Sequence, residues 1–200
     1  MTDRPEKRRP GRPKTVDRQR TIELATDTYW REGVQTLSLN EVCRRARISK
    51  PALYREFGGE DGLMDAALGH YYDLVVAPVL KALSVEQPFG QVAEQLIVAM
   101  TTDSDAPAGC LFSEMRLVRA RLGPTTKARL LAIELLRQDA FEAWFRRAVG
   151  RGEVDGSVPP ELAGRYLDTQ FAFVLLQLGA GEDAAGVRAQ ARIALRAFEP

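Results

Sequence analysis

The stretch from Gly33 to Gly59 is punctuated so densely that only short helices fit between its stops. Gly33 falls where a helix end wants a left-handed residue. After the loop "VQT", the segment "SLNE" sets Ser38 and Glu41 at capping-box spacing, where each can satisfy a free amide of the other's turn. Arg47 and Ile48 leave room for a tight turn. Ser49 is a good N-cap, and Pro51 falls inside the next first turn, where its missing N–H costs nothing. Gly58 and Gly59 close that helix. The spacing predicts helices over Leu39–Ala46 and Lys50–Phe57. Ahead of them, Ile22, Ala25 and Tyr29 recur at i, i+3 and i+7, which predicts a first helix from about Thr15 to Glu32 with one buried stripe. Leu39, Val42, Cys43 and Ala46 face inward on the second helix, and Leu53 and Phe57 anchor the third.

Strand alternation is scarce in the rest of the chain, so the fold class is all-α. Helices are expected near 60–83, 89–102, 110–121, 125–150, 159–180 and 183–198, broken at Pro88, "DSDAPAG", "GP" at 123–124, "GRGEVDG" and "GAGED". Pro78 should kink or split the first of these. No apolar run approaches 18 residues, so no membrane span is expected, and the charged N-terminus lacks the apolar core of a secretory signal. Cys43 and Cys110 stand far apart without Cys or His neighbours, which suits neither a zinc site nor a disulfide framework; a reducing cytoplasm is the natural reading. No metal or cofactor is expected.

Charge divides the chain. Residues 1–58 carry 14 Lys/Arg against 8 Asp/Glu, while residues 59–200 carry 14 against 19. A basic head on an acidic body suits a head that meets a polyanion. The first 14 residues, with "KRRPGRPK" at their end, hold too little apolar surface to offset chain entropy and are expected to be a disordered basic arm.

Helix, loop, helix, tight turn and short helix over 15–58 make a helix-turn-helix. The major groove of duplex DNA admits one α-helix, and base edges there carry a unique donor and acceptor pattern. In "SKPALYREF", Ser49 and Lys50 start the helix, whose free amides and positive end favour phosphate. Pro51 and Ala52 are small enough for close backbone approach, and Tyr54 and Arg55 can reach phosphates or bases. With Ser38, Tyr54 and Arg55 are the expected phosphate contacts.

"ISKPALYREFGGEDGLM" resembles the recognition segment of the TetR family of transcriptional regulators. Ile22, Ala25, Tyr29 and Gly33 match that family's first-helix stripe and terminal glycine, and Ser38, Leu39 and Val42 its second helix. Three residues depart from the pattern. Arg47 replaces the usual turn glycine, and is strained if φ is positive there. Glu60 replaces a lysine that often touches the DNA backbone, and Gly62 weakens the start of the fourth helix. "PGRPK" resembles part of an AT-hook, with Pro10 in place of the usual arginine. Arg12 and Lys14 therefore either enter a narrow minor groove or add unspecific phosphate attraction.

The resemblance implies that residues 59–200 form a ligand-binding and dimerisation domain whose last two helices pair with a second copy. "FAFVLLQL" is apolar on nearly every face, so Phe171, Val174, Leu175 and Leu178 are candidates for that interface, with Ala191, Ala194 and Phe198 from the last helix. A dimer would set two recognition helices about 34 Å apart, in successive major grooves of a palindromic operator. Tyr71, Met100, Cys110, Phe112, Met115, Phe141, Trp144 and Phe145 either line a pocket for a small apolar or aromatic effector or form an ordinary core. "PAGCLF" is similar to a Gly-Cys-Leu segment of many family members; Cys110 is either a buried structural thiol or a sensor of oxidants. His70, the only histidine, reads as half-exposed.

One histidine, no Gly-rich phosphate loop and no HExxH pattern speak against an enzyme. The reading is a dimeric regulator, in the family's manner a repressor released by its effector through the helix starting near Glu60. The alternatives are an architectural DNA-binding protein without effector control and a helical enzyme using carboxylates.

Overall fold

The computed structural model describes residues 17–102, 107 and 109–199. It is all-helical, with no strand among the described residues. The head consists of α1 (Arg18–Glu32), α2 (Leu39–Ala46) and α3 (Lys50–Phe57). The body consists of α4 (Glu60–Tyr71), α5 (Ala77–Leu83), α6 (Phe89–Thr101), α7 (Leu111–Leu117), α8 (Pro124–Gly150), α9 (Pro160–Gly179) and α10 (Ala184–Leu195). Helices α2 and α3 have the bounds that the spacing predicts. Helix α1 starts at Arg18, three residues later than expected, because Asp17 caps it and accepts from Arg20 N at 3.0 Å.

Pro78 acts one turn upstream of itself. A proline ring clashes with the carbonyl four residues before it. Between α4 and α5 the chain widens into a π-helical stretch, Tyr72–Val76, where Ala77 N bonds to Tyr72 O. The rod continues with its ladder shifted.

Two apolar cores fill the molecule. One joins the head to the body: Ile22, Ala25 and Tyr29 of α1 and Leu53 and Phe57 of α3 pack with Leu63 and Leu68 of α4, Met115 of α7 and Leu130 of α8. The other, around Phe89, Trp144, Phe145 and Phe171, belongs to the body alone. The head is thus seated on the body by continuous packing. Thr26 Oγ1 adds a bond to Ala67 O (3.2 Å), and Trp30 Nε1 one to Gly109 O (3.2 Å).

Head and body approach closely at the start of α4. A Cβ on Gly62 would fall 1.7 Å from the Phe57 carbonyl oxygen. Gly62, read from the sequence as a weak helix start, also has a packing reason: glycine there lets α3 and α4 close. Asp61, its neighbour, caps α8 from outside. Its carboxylate accepts from Thr125 N (2.9 Å), Thr126 N (3.0 Å) and Thr126 Oγ1 (2.6 Å), so α8 needs no cap of its own. Burial pushes the Asp61 carboxyl up, but the Thr126 and Thr125 bonds outweigh it and bring its pKa down from 3.8 to about 2. Gly123 makes the space: a Cβ there would lie 2.2 Å from Asp61 Cγ.

Candidate nucleic-acid interface and the cavity behind it

Three local devices hold α3 outward. The Ser49 hydroxyl accepts from Ala52 N (3.3 Å), fixing the first turn. Leu53 and Phe57 are buried, which fixes the rotation of the helix. The turn before it is closed by Ile48 N to Cys43 O (3.0 Å), with Arg47 in the left-handed region at φ 54°. Arg47 is the one non-glycine residue with positive φ among the described residues, so the conditional strain read from the sequence is present.

The opposite face of α3 is open. Ser49, Lys50, Pro51 and Arg55 are exposed, Ala52 is half-buried, and Tyr54 is 56% exposed. Among the described residues, Arg47, Lys50 and Arg55 have no hydrogen-bond or ion-pair partner for their side chains, whereas Arg44 and Arg45 are bound to carboxylates. Arg47 and Lys50 thus add uncompensated charge where the N-terminus of α3 already carries positive potential, and Arg55 adds another in its last turn. Ser38 is exposed and caps α2 by accepting from Glu41 N at 3.3 Å. The other half of the expected capping box is not formed. The Glu41 carboxylate turns to Arg44 (2.8 Å) and Arg45 (2.6 Å), and those two bonds bring its pKa down to about 2. Arg45 also binds Glu32, tying α2 to the end of α1. Glu60 is exposed at the first position of α4. Arg12 and Lys14 lie outside the described residues.

Behind the head, a cavity of about 840 Å³ opens between α5, α6 and α9. Pro78, Val79, Leu96, Met100, Leu175 and Leu178 line it. So does Trp30, which reaches it from α1 and packs edge-on against Tyr71, ring centroids 4.8 Å apart. Of the aromatic and sulfur residues considered from sequence, Met100 lines this cavity. Tyr71, Cys110, Phe141 and Met100 border a separate void of about 20 Å³, room for one water rather than a ligand. Phe112 and Met115 are spent in the head-side core, and Trp144 and Phe145 in the body core, where Trp144 stacks on Phe89 at 4.3 Å. Cys110 is buried, caps α7 by accepting from Ser113 N (3.4 Å) and accepts from the Tyr71 hydroxyl (3.3 Å). His70 is half-buried.

The residues considered for a subunit interface divide between faces. Phe171, Val174 and Phe198 point into the chain's own interior, Phe198 against Phe145 at 5.0 Å. Leu175 and Leu178 line the cavity, and Ala191 packs on the body core. Ala194 is half-buried, its carbonyl accepting from the Tyr166 hydroxyl (3.4 Å). The outward apolar stripe of α9 is a different set, Leu162, Tyr166, Phe173 and Leu176, with Ile193 of α10 exposed as well. Continuous hydrophobicity in "FAFVLLQL" hides which third of the helix faces out.

Residues 22–67 match the family of bacterial regulatory proteins, tetR family. The HTH-type transcriptional repressor ComR of Escherichia coli (strain K12) is 32% identical over 104 residues, 50% of this chain and 50% of ComR. BdcR of the same strain, also an HTH-type transcriptional repressor, is 26% identical over 110 residues, 55% of this chain and 56% of BdcR. The chain thus spans about half the length of these curated relatives in the matched region. Among solved structures, a cysteine-substituted form of the TetR family regulator CifR, complexed with 26-base-pair double-strand operator DNA, matches with a TM-score of 0.73 and 25% identity over 94% of this chain and 100% of that one. A TetR-family regulator from Agrobacterium tumefaciens matches with a TM-score of 0.78 over 92% and 97%; at 16% identity it speaks for the fold alone. The helix-turn-helix is of the TetR type, and the whole chain has the fold of TetR-family transcriptional regulators. Its named relatives are regulators rather than enzymes, in line with the sequence reading.

Proposed function

We propose that this protein is a cytoplasmic homodimer that binds a palindromic operator and represses transcription until an apolar or aromatic small molecule occupies the cavity and releases it. The observation that carries the reading is the capped helix α3, which buries Leu53 and Phe57 and leaves Lys50, Tyr54 and Arg55 exposed without partners for the two cations. Such a helix can enter a major groove with its N-terminal residues on base edges. Ser38 and Tyr54 are suited to hold the flanking phosphates. The outward stripe from Leu162 to Leu176 supports a dimer, since monomeric proteins rarely leave such a face to water. The cavity's contact with Trp30 on α1 and with residues 74–79 beside α4 supports effector control, because both elements carry the head.

The test is recovery of genomic fragments bound by the purified protein, followed by titration of the shared sequence against Tyr54→Ala. Recovery of one palindromic site, bound at least tenfold more weakly by the variant, supports the reading. Fragments without a common sequence, bound equally by both, would reduce the protein to an unspecific DNA binder.

A further inference from the structure

We propose that the 840 Å³ cavity takes an apolar cation and discriminates against apolar anions of the same size. This rests on the effector reading above and adds the ligand's charge. The cavity walls are aliphatic over most of their extent, and their polar side chains are Gln95, Thr101, Thr102, Glu182 and Asp183. Glu182 and Asp183 are the charged side chains among the described lining residues, and both are acids.

The C-terminal turn of α9, at Leu178, borders the cavity and adds to this charge, since helix C-termini carry negative potential, whereas the end of α6 at Thr101 is already met by a cation. The N-terminus of α10 borders it too, but its positive end is met by Asp183 itself, which accepts from Gly186 N (2.9 Å). Arg188 is the countercharge. It stands behind the wall, donating to the Thr101 carbonyl (3.2 Å), and is not among the lining side chains. The acidic balance of residues 59–200 adds a longer-range field of the same sign. A delocalised cation suits this site better than a strongly hydrated ammonium, because the aliphatic wall offers no replacement for a hydration shell. The indole of Trp30 lines the same cavity, and an aromatic face attracts a cation approaching it.

Tetraphenylphosphonium and tetraphenylborate make the test, since they share size and apolar surface and differ in sign. Each is titrated calorimetrically, in sodium buffer, into the full-length protein, the Glu182→Gln/Asp183→Asn variant and Ala99→Trp. Asparagine caps a helix as well as aspartate, so the double variant keeps the start of α10. The expected result is that the phosphonium binds about tenfold or more tightly than the borate, a ratio within reach of one charge pair near a protein surface. The double variant should lose most of that ratio, and Ala99→Trp, which fills the cavity from α6, should abolish phosphonium binding. Equal binding of both ions, tighter binding of the borate, no binding of either, or phosphonium binding that survives Ala99→Trp would each overturn the proposal. Operator binding, measured without either ion, separates the two readings: its loss sinks the regulator, and its persistence beside a failed charge preference sinks this inference alone.

Discussion

The contact between Asp61 and Gly123 makes the seating of head on body measurable. Gly123 has φ −71° and ψ 169°, which any residue adopts, so Gly123→Ala would be harmless if the backbone alone decided. Instead the new methyl would sit 2.2 Å from Asp61 Cγ and 2.6 Å from Asp61 Cβ. The carboxylate must leave Thr125 and Thr126, and α4 and α8 must part. Losing the cap costs about 1–2 kcal/mol, and stranding the buried Thr126 amide about 1–3 kcal/mol; together, about 3 kcal/mol is expected for Gly123→Ala. Asp61→Gly removes the same bonds and adds a glycine to the first turn of α4, for about 3 kcal/mol as well. The two are not additive. With glycine at 61 the three atoms nearest the methyl are gone, and Gly123→Ala should then be neutral or stabilising by about 0.5 kcal/mol through the unfolded chain. The assay is urea unfolding of the four proteins at one fixed concentration, read as a double-mutant cycle. A Gly123→Ala penalty that is equal in both backgrounds, or absent from both, would refute the reasoning. The pH dependence supplies a second check. The Asp61 pKa is lower folded, about 2, than its ordinary 3.8, so its stabilisation is fully present above about pH 4 and fades as pH falls through 2. Acid unfolding of Asp61→Gly should lack that contribution.

Three further outcomes are expected. Arg47→Gly should raise stability by about 0.5–1 kcal/mol in urea titrations, because relief of the left-handed strain exceeds the added freedom of the unfolded chain; a destabilised variant would contradict this. Arg137 is buried, pairs with Asp168 (2.6 Å) and lies over the Phe112 ring at 4.8 Å. Asp168→Ala should therefore cost about 3–5 kcal/mol, and Arg137→Met/Asp168→Asn less than Asp168→Ala alone, since no charge is left buried and unpaired. Deleting residues 2–14 should flatten the salt dependence of operator affinity by about 0.9 log units for each phosphate the arm neutralises, and an unchanged slope would mean that the arm meets no phosphate.

What could be read in advance was local. Ser38, Ser49, Pro51 and Gly58 act within a turn of where they stand, so α2 and α3 were bounded correctly, as were the breaks before α6, α8 and α10. What could not be read depends on distant partners. Asp61 caps a helix 64 residues downstream, and nothing near it in the chain announces that. Glu41 has capping-box spacing, yet two adjacent arginines compete for its carboxylate and win. The aromatic residues of α8 suggested a pocket wall, but an aromatic ring satisfies a core equally well, and Trp144 and Phe145 are enclosed by Phe89, Phe171 and Phe198. The cavity is instead lined mostly by aliphatic residues of α5, α6 and α9 and by Trp30 of α1, which the sequence reading did not single out. In α9, a helix apolar on nearly all sides gives no phase, so its outward stripe appears only once α8 and α10 are packed against it.

The central claim is that two copies of α3, joined through α9 and α10, read one duplex. The most direct measurement is the mass of the complex formed on the recovered operator duplex, by sedimentation or light scattering, for the wild type and for Phe173→Glu. The account predicts two 22.2-kDa chains per duplex for the wild type, and for the variant a folded single chain with operator affinity reduced by at least a hundredfold. A wild-type protein that stays a single chain and ignores every duplex, or a monomeric Phe173→Glu that binds the operator as tightly as the wild type, would contradict it.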